Sequence, residues 1–510
     1  MRVPVSLPGA RPRYSAAYTR LVTLLLMLAY TFNAADRGLI SIVAQAMKLD
    51  LRLSDAQLGL LAGTAFASLY AVSSIPIARL AERYNRVSIV AVALTVWSGF
   101  TALCGAAGSF TQLLLLRVGT GIGEAGCSAP AHSLISDYYE PSRRASALSI
   151  YSCGLSLGYL FVSVVGGYVV LHYGWRAACV AVGLPGIAVA ILIKYLIEEP
   201  VRGQADQRPA DRGAAEATAA VASFSLRHEG HELAAVARAL FLSWPAANLV
   251  LGLTISSFAS YGAWVFIPAY FNRAFALDFA TIGVVLGLAG SVPVALGTLL
   301  GGFVTDRAAA RGAQWYALVP AAGLALATPL YMLALSVSGW QSAALLLAAA
   351  GFFQYISLGP TFGVVQNVVG ARRRATATAL LYVCLTLFAL AGGPPFTGWM
   401  IDRLAEMHFT HPGSGFIADV LGVFSGAEGG DAQGAAGTFR ASCPGGAGGG
   451  GCSTALAQAS RDGIIVTFCL YVWAALHYGL GAIGLERQMR TAIEGGGLAA
   501  PAAAPQVSSR

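Results

Sequence analysis

The sequence predicts an all-α membrane protein with twelve transmembrane helices in two pseudo-symmetric six-helix bundles, and three observations carry that prediction. Of 510 residues, 56% are hydrophobic and 11% charged, less than half the roughly 25% charged share of a soluble domain. The apolar residues come in runs of about twenty or more, the length a helix needs to cross the hydrocarbon core. The chain also repeats itself. Glu82-Arg83 after the second run recurs as Asp306-Arg307 after the eighth, and Arg143-Arg144 after the fourth recurs as Arg372-Arg373-Arg374 after the tenth.

The first half reads as a tail, 1–20, and a bundle, 21–197, with spans at 21–42, 58–78, 87–107, 113–135, 147–171 and 177–197. A polar linker, 198–243, leads to the second bundle, 244–485, with spans at 246–269, 282–304, 315–337, 342–369, 375–401 and 464–485, an outer loop at 403–460 and a tail at 486–510. Arg11, Arg13 and Arg20 before the first run imitate a signal peptide. Cleavage is rejected because eleven further spans follow and Asp36 and Arg37 sit inside the run. Basic residues favour the cytoplasmic side of short loops; with both termini cytoplasmic, 23 of the 32 fall inside, 7 outside and 2 within the membrane. Only Lys48 and Lys194 are lysines, and with abundant Ala and Gly this points to a GC-rich bacterial genome and a multi-pass protein of the inner membrane. Two similar halves around a central linker suit rocking about a midplane site.

The net charge of +8 is dispersed in pairs and triplets between apolar runs, as topology requires, and gives no nucleic-acid footprint. Gly121-Ile122-Gly123-Glu124-Ala125-Gly126 matches a dinucleotide fingerprint, yet it lies in a membrane span with no strand before it. The tract 445–451 lacks the Gly-Lys-Ser/Thr ending of a phosphate loop. Seven scattered histidines give no zinc-ligand spacing, so no metal, cofactor or enzymatic activity is expected. Cys443 and Cys452 flank the glycine tract on the oxidising side, where a disulfide and two free thiols are both open. The other six cysteines lie in apolar spans and read as packing residues.

Four charges lie well within the predicted spans: Asp36 and Arg37 in the first, Arg117 and Glu124 in the fourth. An ionisable group at membrane depth costs roughly 2.5 to 3.5 kcal/mol on insertion scales and lines a cavity or pairs. Arg117, Thr120, Gly121 and Glu124 share one helix face, while Gly119, Gly123 and Gly126 fall on the other, where small residues admit a neighbouring helix. An inert ion-pair network is one reading. The other is a site in which Asp36 or Glu124 exchanges a proton and Arg37 and Arg117 hold an anionic group. The second half offers instead Ser257, Ser260, Tyr261 and Trp264 on its first span, Gln354 and Tyr355 on its fourth and Tyr382 on its fifth, either as packing or as an apolar wall for an amphiphile.

The loops Ala78-Arg79-Leu80-Ala81-Glu82-Arg83-Tyr84-Asn85-Arg86 and Gly302-Phe303-Val304-Thr305-Asp306-Arg307 resemble the Gly-x-Leu-Ala-Asp-Arg-x-Gly-Arg motif of the major facilitator superfamily, the first departing at Ala78, Glu82 and Asn85. The run from Asn33 to Arg37, then Leu53 to Leu61, Phe66 to Pro76, Arg117 to Ala125 and Gly174-Trp175-Arg176 resembles the spinster-like branch of that superfamily. The resemblance implies a monomeric carrier, proton-linked or facilitative, for lysophospholipids or sphingosine phosphate. It maps the family's acid and arginine of the first span and arginine and glutamate of the fourth onto Asp36, Arg37, Arg117 and Glu124. As the acids well inside the membrane, Asp36 and Glu124 are expected to couple protons, with substrate contacts at Asn33, Arg37, Arg117 and Thr120, and the charges at the inner ends of spans, Glu82, Arg83, Arg86, Arg143, Arg144, Asp306 and Arg307, are expected to gate. A related branch that carries sugar acids also has Asp-Arg in its first span and is the alternative; a non-transporting receptor or scaffold would leave the repeat and the buried charges unexplained.

Overall fold

The structure is a computed structural model and describes residues 14–139, 141–201, 226–369, 374–412, 415–425, 439, 442, 443 and 450–494. The side chains of Glu82, Arg83, Arg143 and Arg144, the residues Arg372 and Arg373, and most of the linker and of the glycine tract lie outside that set. In the first half the helices are α1 (Ala16–Leu51), α2 (Asp55–Ala62), α3 (Thr64–Arg83), α4 (Arg86–Cys104), α5 (Phe110–Glu124), α6 (Ser128–Tyr138), α7 (Pro141–Phe161) and α8 (Gly167–Leu196). After α9 (Leu226–Phe241), the second half consists of α10 (Trp244–Phe275), α11 (Phe279–Ala309), α12 (Trp315–Ser336), α13 (Trp340–Tyr355), α14 (Leu358–Asn367), α15 (Arg374–Cys384), α16 (Ala391–Thr410), α17 (Phe416–Ser425), α18 (Gly450–Ala482) and α19 (Leu485–Glu494).

These helices make twelve spans. Among the described residues nine runs are long and apolar enough to cross a bilayer, one of them, Ile150–Leu196, being 47 residues long. That run holds two spans, which turn at Gly174, where φ is 82° and ψ 170°. The two remaining spans, α1 and the α5/α6 pair, are those that carry Asp36, Arg37, Arg117 and Glu124, and these charges lower their hydropathy.

The repeat extends to irregularities. The fourth span of each half breaks, between Glu124 and Ser128 and between Tyr355 and Leu358. The fifth span of each half contains a π-helical turn, Val162–Gly166 and Leu385–Leu390, a feature frequent at functional sites. Cys443 and Cys452 are joined as a disulfide at the end of the molecule opposite Tyr14 and Glu494, the first and last described residues. The halves interlock at this disulfide end through glycines. A Cβ on Gly398 would lie 2.1 Å from the Asp55 carbonyl oxygen, on Gly59 2.3 Å from that of Pro394, and on Gly283 1.8 Å from that of Ser163. Backbone touching backbone at these crossings holds the disulfide end shut.

Candidate functional site

Asp36 and Arg37 are consecutive on α1 and so point in directions about 100° apart; α5 answers both. Arg117 Nη1 donates to Asp36 Oδ2 at 3.0 Å, and Arg37 Nε donates to Glu124 Oε2 at 2.7 Å. Each arginine thus pairs with the acid of the other helix, and the two ion pairs are neighbours. Asp36, Arg117 and Glu124 are buried, whereas the Arg37 side chain keeps 26% of its surface open.

The surroundings fix the pairs in place. Arg117 Nε reaches the Leu61 carbonyl at the end of α2, 3.4 Å away, and both guanidinium groups lie 5.3 Å from the Phe66 ring centre. Arg37 also lies 5.2 Å from the centre of the Tyr70 ring. Cation–π contact of this kind holds a desolvated guanidinium without neutralising it.

The hydrogen bonding is short of protons at two points. Thr101 has one hydroxyl proton but two acceptors, the Trp97 carbonyl oxygen at 2.9 Å and Asp36 Oδ1. Asn33 Nδ2 donates to Glu124 Oε2 at 2.9 Å, leaving Asn33 Oδ1 and Glu124 Oε1 buried without a partner. A buried unpaired acceptor costs about 1–3 kcal/mol. A proton added to either carboxylate converts an acceptor into a donor and relieves the shortage there.

Tyrosines of both halves lie near Arg37. Tyr30, Tyr70 and Tyr159 from the first half and Tyr261 and Tyr382 from the second all lie within electrostatic reach of its charge, and Tyr355 lies within reach of Tyr159. Of the residues expected to bind substrate, the structure therefore places Tyr261 and Tyr382 near Arg37 and Tyr355 near Tyr159 and Tyr261, and Tyr30, Tyr70 and Tyr159 join them unforeseen. Thr120 is buried and bonds back to the Leu116 carbonyl oxygen of its own helix. Trp264 packs against the core of the second half. Gln354 stands near the end of α13 much as Glu124 ends α5, but it is engaged internally, accepting from the Tyr331 hydroxyl at 2.6 Å and donating to Ser260.

Among the gating candidates, Arg86 is buried within the first half, bonded to Asp137 at 2.5 Å, Glu199 at 2.7 Å and Ser133 at 2.7 Å. Asp306 accepts from the Tyr316 hydroxyl of its own half at 3.0 Å, and Arg307 is exposed.

Buried charge is not confined to the first half, contrary to the expectation from span boundaries. At the disulfide end Lys48 bonds Asp55, Arg273 Nη2 bonds Asp55 Oδ1 at 2.7 Å, and Arg273 Nε bonds Gln45 at 2.8 Å. Asp402 on α16 caps α2 across the interface, accepting from the backbone N–H groups of Asp55 and Ala56, each at 3.0 Å. A buried His408 lies between Asp462, 3.0 Å away, and Asp419, 3.5 Å away, and fastens α17 to α16 and α18. Span limits drawn where hydropathy ends missed these residues because α1, α10 and α16 continue as helix beyond their apolar runs. Lys48, one of two lysines in the chain, was the available signal.

Comparison with known proteins agrees with this architecture. The family model described as Major Facilitator Superfamily matches residues 26–394. A crystal structure of a bacterial homologue of the human lysosomal transporter spinster, in an inward-facing and unoccupied conformation, is similar with a TM-score of 0.77 and 30% identity, covering 93% of this chain and 99% of that one. An MFS-type efflux pump of Mycolicibacterium smegmatis is 31% identical over 381 residues, covering 75% of this chain and 84% of the pump. A hexuronate transporter of Bacillus subtilis is 25% identical over 412 residues, covering 79% and 92%. Twelve spans in two repeated halves, a fold shared over nearly the full chain and the family match together establish that this chain belongs to the Major Facilitator Superfamily of transporters, in its spinster-like branch.

Proposed function

We propose that the protein is a proton-coupled carrier that moves an amphiphilic anionic solute of the lysophospholipid or sphingosine-phosphate type by alternating access. The observation that carries this reading is the crossed pair Asp36–Arg117 and Arg37–Glu124, with Arg37 alone left partly open and tyrosines of both halves near it. An anionic headgroup binds Arg37 and releases its hold on Glu124, which then takes a proton on its unpaired oxygen. The tyrosines and the second half, neutral at the same depth, accept the apolar body. The disulfide belongs on the oxidising side, so the closed end faces outward, the termini are cytoplasmic and this conformation faces inward. Both the similarity to an inward-facing structure and the distribution of basic residues support that assignment. A second reading, proton symport of small organic anions such as sugar acids, draws on the likeness to a hexuronate transporter.

The test is uptake into proteoliposomes under an imposed pH gradient, beside exchange at equal pH. Asp36→Asn and Glu124→Gln are expected to lose gradient-driven accumulation and to retain exchange, because exchange needs no net proton transfer. Undiminished accumulation in both variants would overturn the coupling assignment. Competition by lysolipids against hexuronates separates the two substrate readings.

A further inference from the structure

The bilayer-facing surface of the first half has a groove that the transport site does not use. Helices α3 and α4 are joined at the terminus-bearing end by Tyr84 and Asn85, and α5 forms the floor between them. The groove measures about 500 Å³. Leu80 and Ile77 line one wall, Ile89, Val92 and Val96 the other, and Ile122 the floor. Val92 is 63% exposed and Leu80 48%, as expected of walls that meet lipid.

Its dimensions and polarity follow the membrane normal. From Asn85 to Val96 the α4 wall rises about 16 Å at the helical increment per residue, which is close to half of a hydrocarbon core of about 30 Å. The groove therefore runs through a single leaflet. Its inner end, at Val96 and Ile122, is apolar throughout. Polar groups stand beside its mouth rather than in it: Asn85 caps α4 by accepting from the Ser88 N–H at 2.7 Å, and the exposed Lys194 of α8, next to the lining residue Ser88, donates to Ser88 Oγ at 2.7 Å. That ammonium has two further protons to give, at the depth where headgroups lie.

We propose that this groove binds one phospholipid of the terminus-side leaflet, with an acyl chain along Val92 and Val96 and an anionic headgroup on Lys194 and Ser88. With the sidedness inferred above, this is the cytoplasmic leaflet. Gly123 and Gly126 also border the groove, so the end of the chain lies behind the turn that breaks the fourth span directly after Glu124. The lipid is thus placed to stiffen that turn without entering the transport cavity.

The experiment uses the purified full chain, delipidated and titrated with phosphatidylglycerol or phosphatidylcholine of identical chains, with binding read by native mass spectrometry. Phosphatidylglycerol is expected to bind about fivefold more tightly, the effect of one lysine at an anionic headgroup, and Lys194→Gln is expected to equalise the two lipids. A phosphatidylglycerol with a photoreactive acyl chain should crosslink to α4 and to the α5 segment around Ile122, and Val92→Phe with Val96→Phe should remove those crosslinks. Equal affinity of the wild-type protein for both lipids, or crosslinks spread evenly over the bilayer-facing helices, would overturn the proposal; both readings come from the wild-type chain and do not depend on a variant folding.

Discussion

At the scale of single residues, the protein distributes buried charge between two tasks. The crossed pairs at mid-membrane lie wholly within the first half, so they can persist or exchange partners while the halves move. The cluster of Lys48, Asp55, Arg273 and Asp402 joins the halves and has to part for the disulfide end to open. Removing one member of a buried ion pair typically costs about 3–5 kcal/mol because the other is left uncompensated. Separation of the halves would rehydrate Asp55, so Arg273→Met is expected to raise the population open at the disulfide end by about tenfold, within the few kcal/mol that separate such states. Distances between spin labels at Arg52→Cys and Asp278→Cys, with the exposed Cys153 replaced by serine, would lengthen; an unchanged distribution would remove Arg273 from the gate. The mid-membrane charges were legible in the sequence because an acid or arginine inside an apolar run is conspicuous. The gate charges were not, since hydropathy ends before the helix does, and no one-dimensional pattern brings Asp402 next to Asp55.

At the scale of elements, interruptions matter more than the regular helix. The turn after Glu124 places the acid at a helix end, where neighbouring backbone can move without breaking a long run of hydrogen bonds. Glycine spacing announced close packing on that face, and Gly123 and Gly126 do meet α4, at Trp97 and Ala93; the break itself had no signal beyond the run of glycines. Gly174 is different in kind. Nothing lies within 4 Å of a Cβ built there, so Gly174→Ala meets no clash and its cost is backbone strain alone, about 1–3 kcal/mol for a conformation that glycine nearly monopolises. A lowered thermal midpoint with substrate affinity retained is the expected result, and an unchanged midpoint would show that the turn between the fifth and sixth spans relaxes freely.

At the scale of the whole molecule, the twelve spans and their division into halves were legible because a bilayer forces every backbone polar group into helix, which leaves hydropathy little freedom. Conformation was beyond the sequence's reach, since the same residues must support both states. Sidedness is open to direct measurement. A membrane-impermeant maleimide applied to intact cells is expected to label Arg52→Cys and leave Arg311→Cys untouched, and the reverse pattern would invert the topology. The way Asp402 caps α2 has a further consequence. Ser54 already forms a capping box with Gln57, so parting of the halves removes the partners of the Asp55 and Ala56 amides while the Gln57 amide keeps its bond to Ser54 Oγ. The first turn of α2 thus carries its own clock. In hydrogen exchange, the Asp55 and Ala56 amides should exchange at the pace of opening at the disulfide end, beside a Gln57 amide that stays slow, and the ratio of the two would time that opening without a label.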